Sequence, residues 1–257
     1  MQEVVMRVAV LGASGRIGRE VVDVLQNQGH EVAELTRAAG VDALSGAGLA
    51  PALAGADVVV DATNASTTET AAVQDFFATI ARNVQEAASA AGVRRIVLVS
   101  IIGIDAFPAG HYAGKLAHER AYREGPVPVR ILRAAQFHEF TEMMLEWTTR
   151  GDTAYVPATR TRLVAARTVA EQMVTLVLAD SALEMTEIAG PEELNLAAAT
   201  ARLAARRGSP ARVEEIVDDD DPNRDLLAAG ALLPGPGAII AGPTFEQWLD
   251  QHYPQHG

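Results

Sequence analysis

Val8-Ala9-Val10-Leu11 is an unbroken apolar run, and it passes straight into Gly12-Ala13-Ser14-Gly15-Arg16-Ile17-Gly18, where three glycines are spaced GxxGxxG. An apolar run without alternation reads as a strand covered on both faces. The residues after Gly15 take up a helical period, so the glycines sit on a strand-to-helix turn. At such a turn the first glycine permits the sharp bend and the second lets backbone N–H groups approach a pyrophosphate. The third lets helix and strand pack closely. A second strand pattern ends about 20 residues further on, which completes the context that a dinucleotide-binding turn requires. Gly12, Ser14, Gly15, Arg16, Ile17 and Gly18 are therefore expected to contact a dinucleotide cofactor.

The pattern that begins there continues. Strands are expected at about 4–11, 31–36, 56–62, 94–101 and 128–134, with helices near 15–28, 71–92 and 112–124. Gly29 and Gly92 stand where helix C-caps belong. Strands alternating with helices predict an α/β fold, a doubly wound parallel sheet of Rossmann type. Residues 1–134 form the expected cofactor-binding core. Beyond it the alternation loosens into helices near 139–149, 167–179, 192–207 and 244–252 and a strand near 153–157. These elements are too few for a core of their own and are expected to make a small substrate lobe, mostly within 135–257, of a single domain.

Composition narrows the function classes. With 21 basic against 33 acidic residues the 257-residue chain carries a formal charge of −12, which offers no footprint for phosphate backbones or anionic membranes. The absence of cysteine removes disulfides, thiolate nucleophiles and iron–sulfur ligation. No apolar run approaches the roughly 20 residues of a membrane span, and the N-terminus shows no basic region or cleavage site, so a cytoplasmic protein is expected. The acidic run Asp218 to Asp221 reads as a solvated loop. Of the 21 basic side chains only Lys115 is a lysine, which sets that position apart.

The second strand ends at Thr36-Arg37. A carboxylate at that tip holds the ribose 2′-hydroxyl of NAD, whereas an arginine accommodates the 2′-phosphate of NADP. Thr36 and Arg37, aided by Arg16, favour NADP over NAD. Glu34 is two residues earlier, so a one-residue shift of the strand end would bring a carboxylate near.

The turn GASGRIG, the segment Leu98 to Asp105, Lys115 within YAGKLAHER, and Ile131 to Phe140 together resemble the NmrA-like branch of the atypical short-chain dehydrogenases/reductases. The late Ile188-Ala189-Gly190-Pro191 turn and Phe245-Glu246-Gln247-Trp248-Leu249 extend the resemblance over nearly the whole chain. The resemblance implies an NAD(P)-binding Rossmann fold and a nicotinamide cofactor. That branch contains NADPH-dependent reductases, quinone reductases and proteins that bind the cofactor only to report redox state. In the broader family a tyrosine four residues before a lysine donates a proton to a carbonyl, and the lysine holds the nicotinamide ribose. Lys115 matches the lysine. The position four before it is His111, and Tyr112 lies three before it, which is also a same-face spacing. The proton donor is thus Tyr112, His111 with a pKa suited to transfer near neutrality, or neither.

Ser100, at the end of the strand 94–101, and Thr63 and Asn64, after the strand 56–62, are cofactor-proximal candidates. Gln136, Phe137 and His138 leave the strand 128–134 beside the expected nicotinamide. Phe140, Met143 and Trp147 follow at helical spacing and could wall an apolar substrate site, with His138 a further donor candidate. His111 and His118 are one heptad apart, but no third ligand accompanies them, so no metal is expected.

Three functions remain open at this level. The leading one is an NADP-dependent oxidoreductase transferring hydride to a carbonyl, quinone or activated double bond of a small apolar substrate. The alternatives are a non-catalytic NADP-binding redox sensor and a tailoring enzyme using the fold for unusual or non-redox chemistry. A small-molecule substrate is the expected partner, without nucleic acid or membrane, and the oligomeric state is undetermined.

Overall fold

The computed structural model describes residues 5–67 and 69–254. In chain order, β1 (Arg7–Leu11), α1 (Arg16–Asn27), β2 (Glu31–Leu35), α2 (Leu49–Leu53) and β3 (Val58–Asp61) lead into the long α3 (Thr70–Ala91). Then come β4 (Arg95–Ile101), α4 (Gly110–Arg123), β5 (Val129–Ala134), α5 (Phe140–Thr148), β6 (Thr149–Arg150), β7 (Thr153–Pro157), β8 (Arg160–Thr161) and α6 (Ala166–Leu178). The chain ends with β9 (Met185–Ala189), β10 (Leu194–Asn195), α7 (Leu196–Arg207), β11 (Arg212–Ile216), α8 (Arg224–Ala229), β12 (Ile239–Ile240) and α9 (Phe245–His252).

Seven of the strands form one sheet in the order β12-β9-β5-β4-β3-β1-β2. The pairs β1–β2, β1–β3, β3–β4 and β9–β12 are parallel. The order reverses at β1, as in a doubly wound α/β fold, and such a reversal is where open sheets bind ligands, outside the carboxyl ends of the strands. β1 after Arg7, β3 and most of β4 are buried, which explains the apolar runs Val8 to Leu11, Val58 to Val60 and Ile96 to Val99.

The chain divides into two compact units. The first comprises residues up to Ser100, Pro108–Arg133 and Val169–Thr186. Its core sets Ala9, Leu11, Val59, Ile96 and Leu98 from the strands against Leu49, Leu53, Ile80, Val84 and Ala88 from α2 and α3. Helix ends follow their sequence signals here. Gly92 caps α3 at φ 74°, the left-handed region, and the Glu69 carboxylate accepts from Ala71 N and Ala72 N at its start.

The second unit comprises Ile101–Phe107, Ala134–Thr168 and Glu187–Gly257. It corrects the expectation that the late elements lack a core. Met144, Leu145, Val156, Leu163, Leu196, Leu203, Phe245, Trp248 and Leu249 form their own buried cluster. The reason is that two large aromatics from α9, a segment nearly 100 residues after α5, fill what the short elements cannot. The helix expected from residue 192 starts instead at Leu196. Leu194 and Asn195 are drawn into an antiparallel pair with Thr161 and Arg160, and the Asn195 side chain caps α7 by accepting from Ala198 N at 2.9 Å.

Candidate functional site

The glycine turn closes with Gly15 N donating to Gly12 O at 2.8 Å. Gly12 has φ +71°, and a Cβ there would lie 2.7 Å from Ala62 O. At Gly18 a Cβ would lie 2.0 Å from Gly12 O, so helix and turn touch with no room for a side chain. Gly15 differs. Its backbone is extended (φ −78°, ψ 174°), and a Cβ would meet only Gly12 O, at 3.1 Å. The fold itself therefore requires Gly12 and Gly18 far more than Gly15. Gly15 is the N-cap of α1 and provides no side-chain cap, and no acidic residue stands in the first turn. The first-turn N–H groups and the positive end of the helix dipole are thus left for an anion. Ser14 and Arg16 are exposed on this turn, and Ile17 is buried beneath it. This arrangement fits a pyrophosphate.

β2 ends at Leu35, one residue earlier than expected. Leu35 points into the core, and Glu34, paired in register with Val10, is exposed. Thr36 caps a short 3₁₀ turn, Arg37–Ala39, by accepting from Ala39 N at 3.2 Å. Arg37 stands exposed beyond the strand tip.

The chemical centre of the first unit is Lys115. It is 5% exposed, and its Nζ donates to Thr63 O at 3.1 Å and Val99 O at 3.4 Å. The ammonium also lies 4.7 Å from the centroid of Phe77, a cation–π contact. It therefore bridges the chain just past the end of β3 and near the end of β4. Burial pushes the amine down to about 8, opposed by the charges of Asp61 and Glu119. Ser100, next to Val99, is buried, and its Oγ makes no hydrogen bond with the described residues. An orphaned hydroxyl at a strand end beside a buried ammonium fits the polar edge of a ligand.

Helical spacing around Lys115 places His111 one turn before it and His118, Glu119 and Tyr122 after it. Burial, with the Lys115 charge second, pushes His111 down to about 4. This corrects the expectation of a histidine tuned near neutrality: at pH 7 the ring is neutral. Tyr112 is half-buried. Thr63 is committed, since its Oγ1 donates to Asp61 Oδ1 at 2.6 Å, and Asn64 is exposed.

The candidates from the second unit scatter. Gln136 Oε1 accepts from Thr161 Oγ1 at 2.5 Å, and Phe137 bridges to Val164. His138 is 1% exposed, its Nε2 is 3.2 Å from Pro243 O, and its ring packs against Phe245 and Trp248. Burial pushes it down to about 4. His138 is thus part of that unit's core rather than a crevice donor, because α9 closes over it. The aromatic stripe is likewise not one wall. Met144 is buried and Phe140 and Met143 half-buried, while Trp147 is 62% exposed and meets Phe140 edge to face at 6.1 Å.

Sequence reasoning missed Asp61, Glu119 and Tyr122 altogether and weighed His118 only as a metal ligand. Their signals were an acid closing the apolar run Val58-Val59-Val60 and the positions three, four and seven after Lys115. Among the described residues no group of three metal-ligating side chains occurs, and no helix is long and apolar enough to cross a membrane.

These features define a nucleotide-binding α/β protein. The NAD(P)H-binding family matches residues 12–184, and the chain belongs to that family. No curated protein matches the sequence. Among solved structures it is similar to the enzyme WbmG of Bordetella bronchiseptica in complex with NAD (TM-score 0.74, 16% identity, 98% of this chain and 96% of that one). It is also similar to the NADPH-dependent quinone oxidoreductase QOR2 of Escherichia coli, complexed with NADPH (TM-score 0.68, 18% identity, 95% and 99%). A nucleoside-diphosphate-sugar epimerase from Pseudomonas aeruginosa gives a TM-score of 0.69 at 19% identity, over 96% and 99%. The fold is that of NAD(P)-binding oxidoreductases and epimerases.

Proposed function

We propose that the chain is an NADP-dependent oxidoreductase acting on a carbonyl, quinone or activated double bond of a small apolar molecule. The observation that carries this reading is the buried ammonium of Lys115 at the strand ends, beside the orphaned Ser100 hydroxyl, in the same unit as the glycine turn. The nicotinamide, when bound, supplies the hydride. The chain's own residues do the rest. N–H groups at the start of α1 hold the pyrophosphate, and Arg37 with Arg16 meets the 2′-phosphate. Lys115 orients the nicotinamide ribose. Ser100 donates a hydrogen bond to the polar end of the ligand. Tyr112 delivers the proton, because a His111 ring already neutral at pH 7 has no acidic proton of suitable strength to give.

Cofactor preference follows from Arg37. NADPH is expected to bind tighter than NADH in a fluorescence titration, and Arg37→Ala should remove most of the difference. Equal binding of both by the unaltered protein would place the 2′-phosphate elsewhere.

A panel of carbonyls, quinones and enones tests the reaction. With an accepted substrate, Tyr112→Phe should lower kcat by about 10²-fold or more with NADPH affinity nearly unchanged, the range expected for loss of a positioned donor. His111→Gln should have the smaller effect. The second reading, a redox sensor, draws on His111 standing where the broader family carries its tyrosine. Tight NADPH binding with no oxidation by any member of the panel would favour that reading instead.

A further inference from the structure

We propose that Asp61 is the positioning residue of the site, a buried carboxylate that fixes Lys115 in place and serves as its counter-charge. The inference rests on the reading of Lys115 given above and adds residues that neither the glycine turn nor the lysine–tyrosine pattern includes.

Asp61 ends β3 in a register row whose other members are Leu11, Leu35 and Leu98. Every neighbour in that row is apolar, and the acid is 0% exposed. A carboxylate in such a position is unfavourable unless all its acceptor sites are filled. Here they are. Oδ1 accepts from Thr63 N at 2.8 Å and from Thr63 Oγ1 at 2.6 Å. Oδ2 accepts from Tyr122 OH at 2.5 Å and faces His118 Nε2 at 3.1 Å. An ionised carboxylate only accepts, so His118 presents an N–H on Nε2 to it. Burial alone would raise the Asp61 carboxyl, but His118, Thr63 and Tyr122 together hold it well below the usual range. The His118 ring is fixed in turn by stacking on Phe77 of α3 at 4.6 Å.

The two oxygens thus grip different parts of the molecule. Oδ1 pins the turn after β3, and the carbonyl of that same Thr63 receives the Lys115 ammonium. Oδ2 pins α4, the helix that carries Lys115, at positions three and seven residues later. Asp61 therefore fixes both the acceptor and the bearer of the lysine.

It also supplies the charge. The groups facing Lys115 are His111, His118 and Glu119 on its own helix and Asp61 on β3. Glu119 is already neutralised: Arg133 of β5 binds both its oxygens, at 2.9 and 2.8 Å, and Arg123 reaches it at 3.3 Å. Burial lowers the pKa of His111 and of His118. Among the described residues Asp61 is paired with His118 rather than with a guanidinium, and its negative charge is the larger of the two that favour the protonated form of the desolvated ammonium.

The sole lysine of the chain makes the test direct. Protein grown with ¹³C,¹⁵N-lysine shows one side-chain ammonium, which can be titrated without cofactor or substrate. In the unaltered protein Lys115 should titrate near 8. In Asp61→Asn, which keeps the shape and removes the charge, its pKa should fall by about one pH unit or more, the usual size of such a charge effect. Thr63→Val retains the carboxylate and the fold while removing one of the four bonds to it. It should speed exchange of the Lys115 ammonium protons with water several-fold, and it decides the matter if Asp61→Asn does not fold. An unchanged Lys115 pKa in Asp61→Asn, or unchanged exchange in Thr63→Val, overturns the proposal.

A double-mutant cycle then joins Asp61 to the cofactor. Asp61→Asn should weaken NADPH binding about tenfold, and Asp61→Asn with Lys115→Met should bind no worse than Lys115→Met alone. Additive losses would mean that Asp61 acts independently of Lys115. A failed oxidoreductase panel with a shifted Lys115 pKa would overturn the reaction but not the clamp, and the converse pair of results would overturn the clamp alone.

Discussion

Gly15→Val is expected to yield a folded chain that has lost tight binding of NADPH, while Gly18→Val is expected not to fold. The contrast follows from what each added side chain meets. At Gly18 a Cβ would lie 2.0 Å from Gly12 O and 2.7 Å from Gly12 C, both backbone atoms that cannot step aside. Relief would require prising α1 from the turn, at more than about 4 kcal/mol, a large share of the stability of an ordinary domain. At Gly15 the backbone is in a conformation any residue adopts, and the closest atom to a Cβ is Gly12 O at 3.1 Å. Valine there should lower the melting temperature by only a few degrees. Its methyl groups would instead stand over the N–H groups that open α1. Hydrogen bonds to a charged group contribute roughly 1.5–3 kcal/mol each, so losing two weakens binding on the order of 100-fold or more. Thermal melts and a fluorescence titration of both variants check this. Full-affinity binding by a folded Gly15→Val protein would sink the assignment of the turn.

Lys115→Met should separate function from stability in the opposite sense. Methionine reproduces the unbranched shape of lysine and removes a charge whose burial is itself unfavourable. Thr63 O and Val99 O lose a donor, and the net change in stability is expected to stay within about 1.5 kcal/mol. Cofactor affinity should fall at least about tenfold. With an accepted substrate, turnover should fall by roughly 10²–10³-fold, as when a preorganised electrostatic group is removed. The pH dependence carries a sign. Lys115 is protonated below about 8 and neutral above it, so NADPH affinity of the unaltered protein should decline as the pH rises through about 8. The methionine variant should lack that limb. A variant that binds and turns over normally would return Lys115 to an ordinary buried side chain.

Much of the first unit was legible before any coordinates, because its signals are local. Val8 to Leu11 and Val58 to Val60 are unbroken apolar runs, long enough to show that both faces are covered. Gly12, Gly15 and Gly18 declare their turn by spacing alone. Gly92 and the helical period before it locate the end of α3 to the residue. Lys115 was visible for a different reason, as the one lysine of the chain.

The second unit was not legible to the same degree. β10 and β12 have two residues each, and β11 reads Arg-Val-Glu-Glu-Ile, an exposed pattern that becomes a strand where β7 lies alongside it. His138 looked like a site residue because it follows a strand end. Only the tertiary structure shows Phe245 and Trp248, more than 100 positions later, enclosing it.

What the sequence by itself determined is therefore the fold class, the glycine turn and the position of the sole lysine, because each can be read from the residue itself or its neighbours within a turn or a strand. What only the tertiary structure decided is the charge environment of that lysine. Asp61 and His118 are 57 residues apart in the chain and 3.1 Å apart in space. Whether a carboxylate is solvated or buried, paired with arginine like Glu119 or left to face an ammonium like Asp61, depends on contacts between elements that periodicity does not encode. Electrostatic energies follow separation and desolvation in space rather than position in sequence.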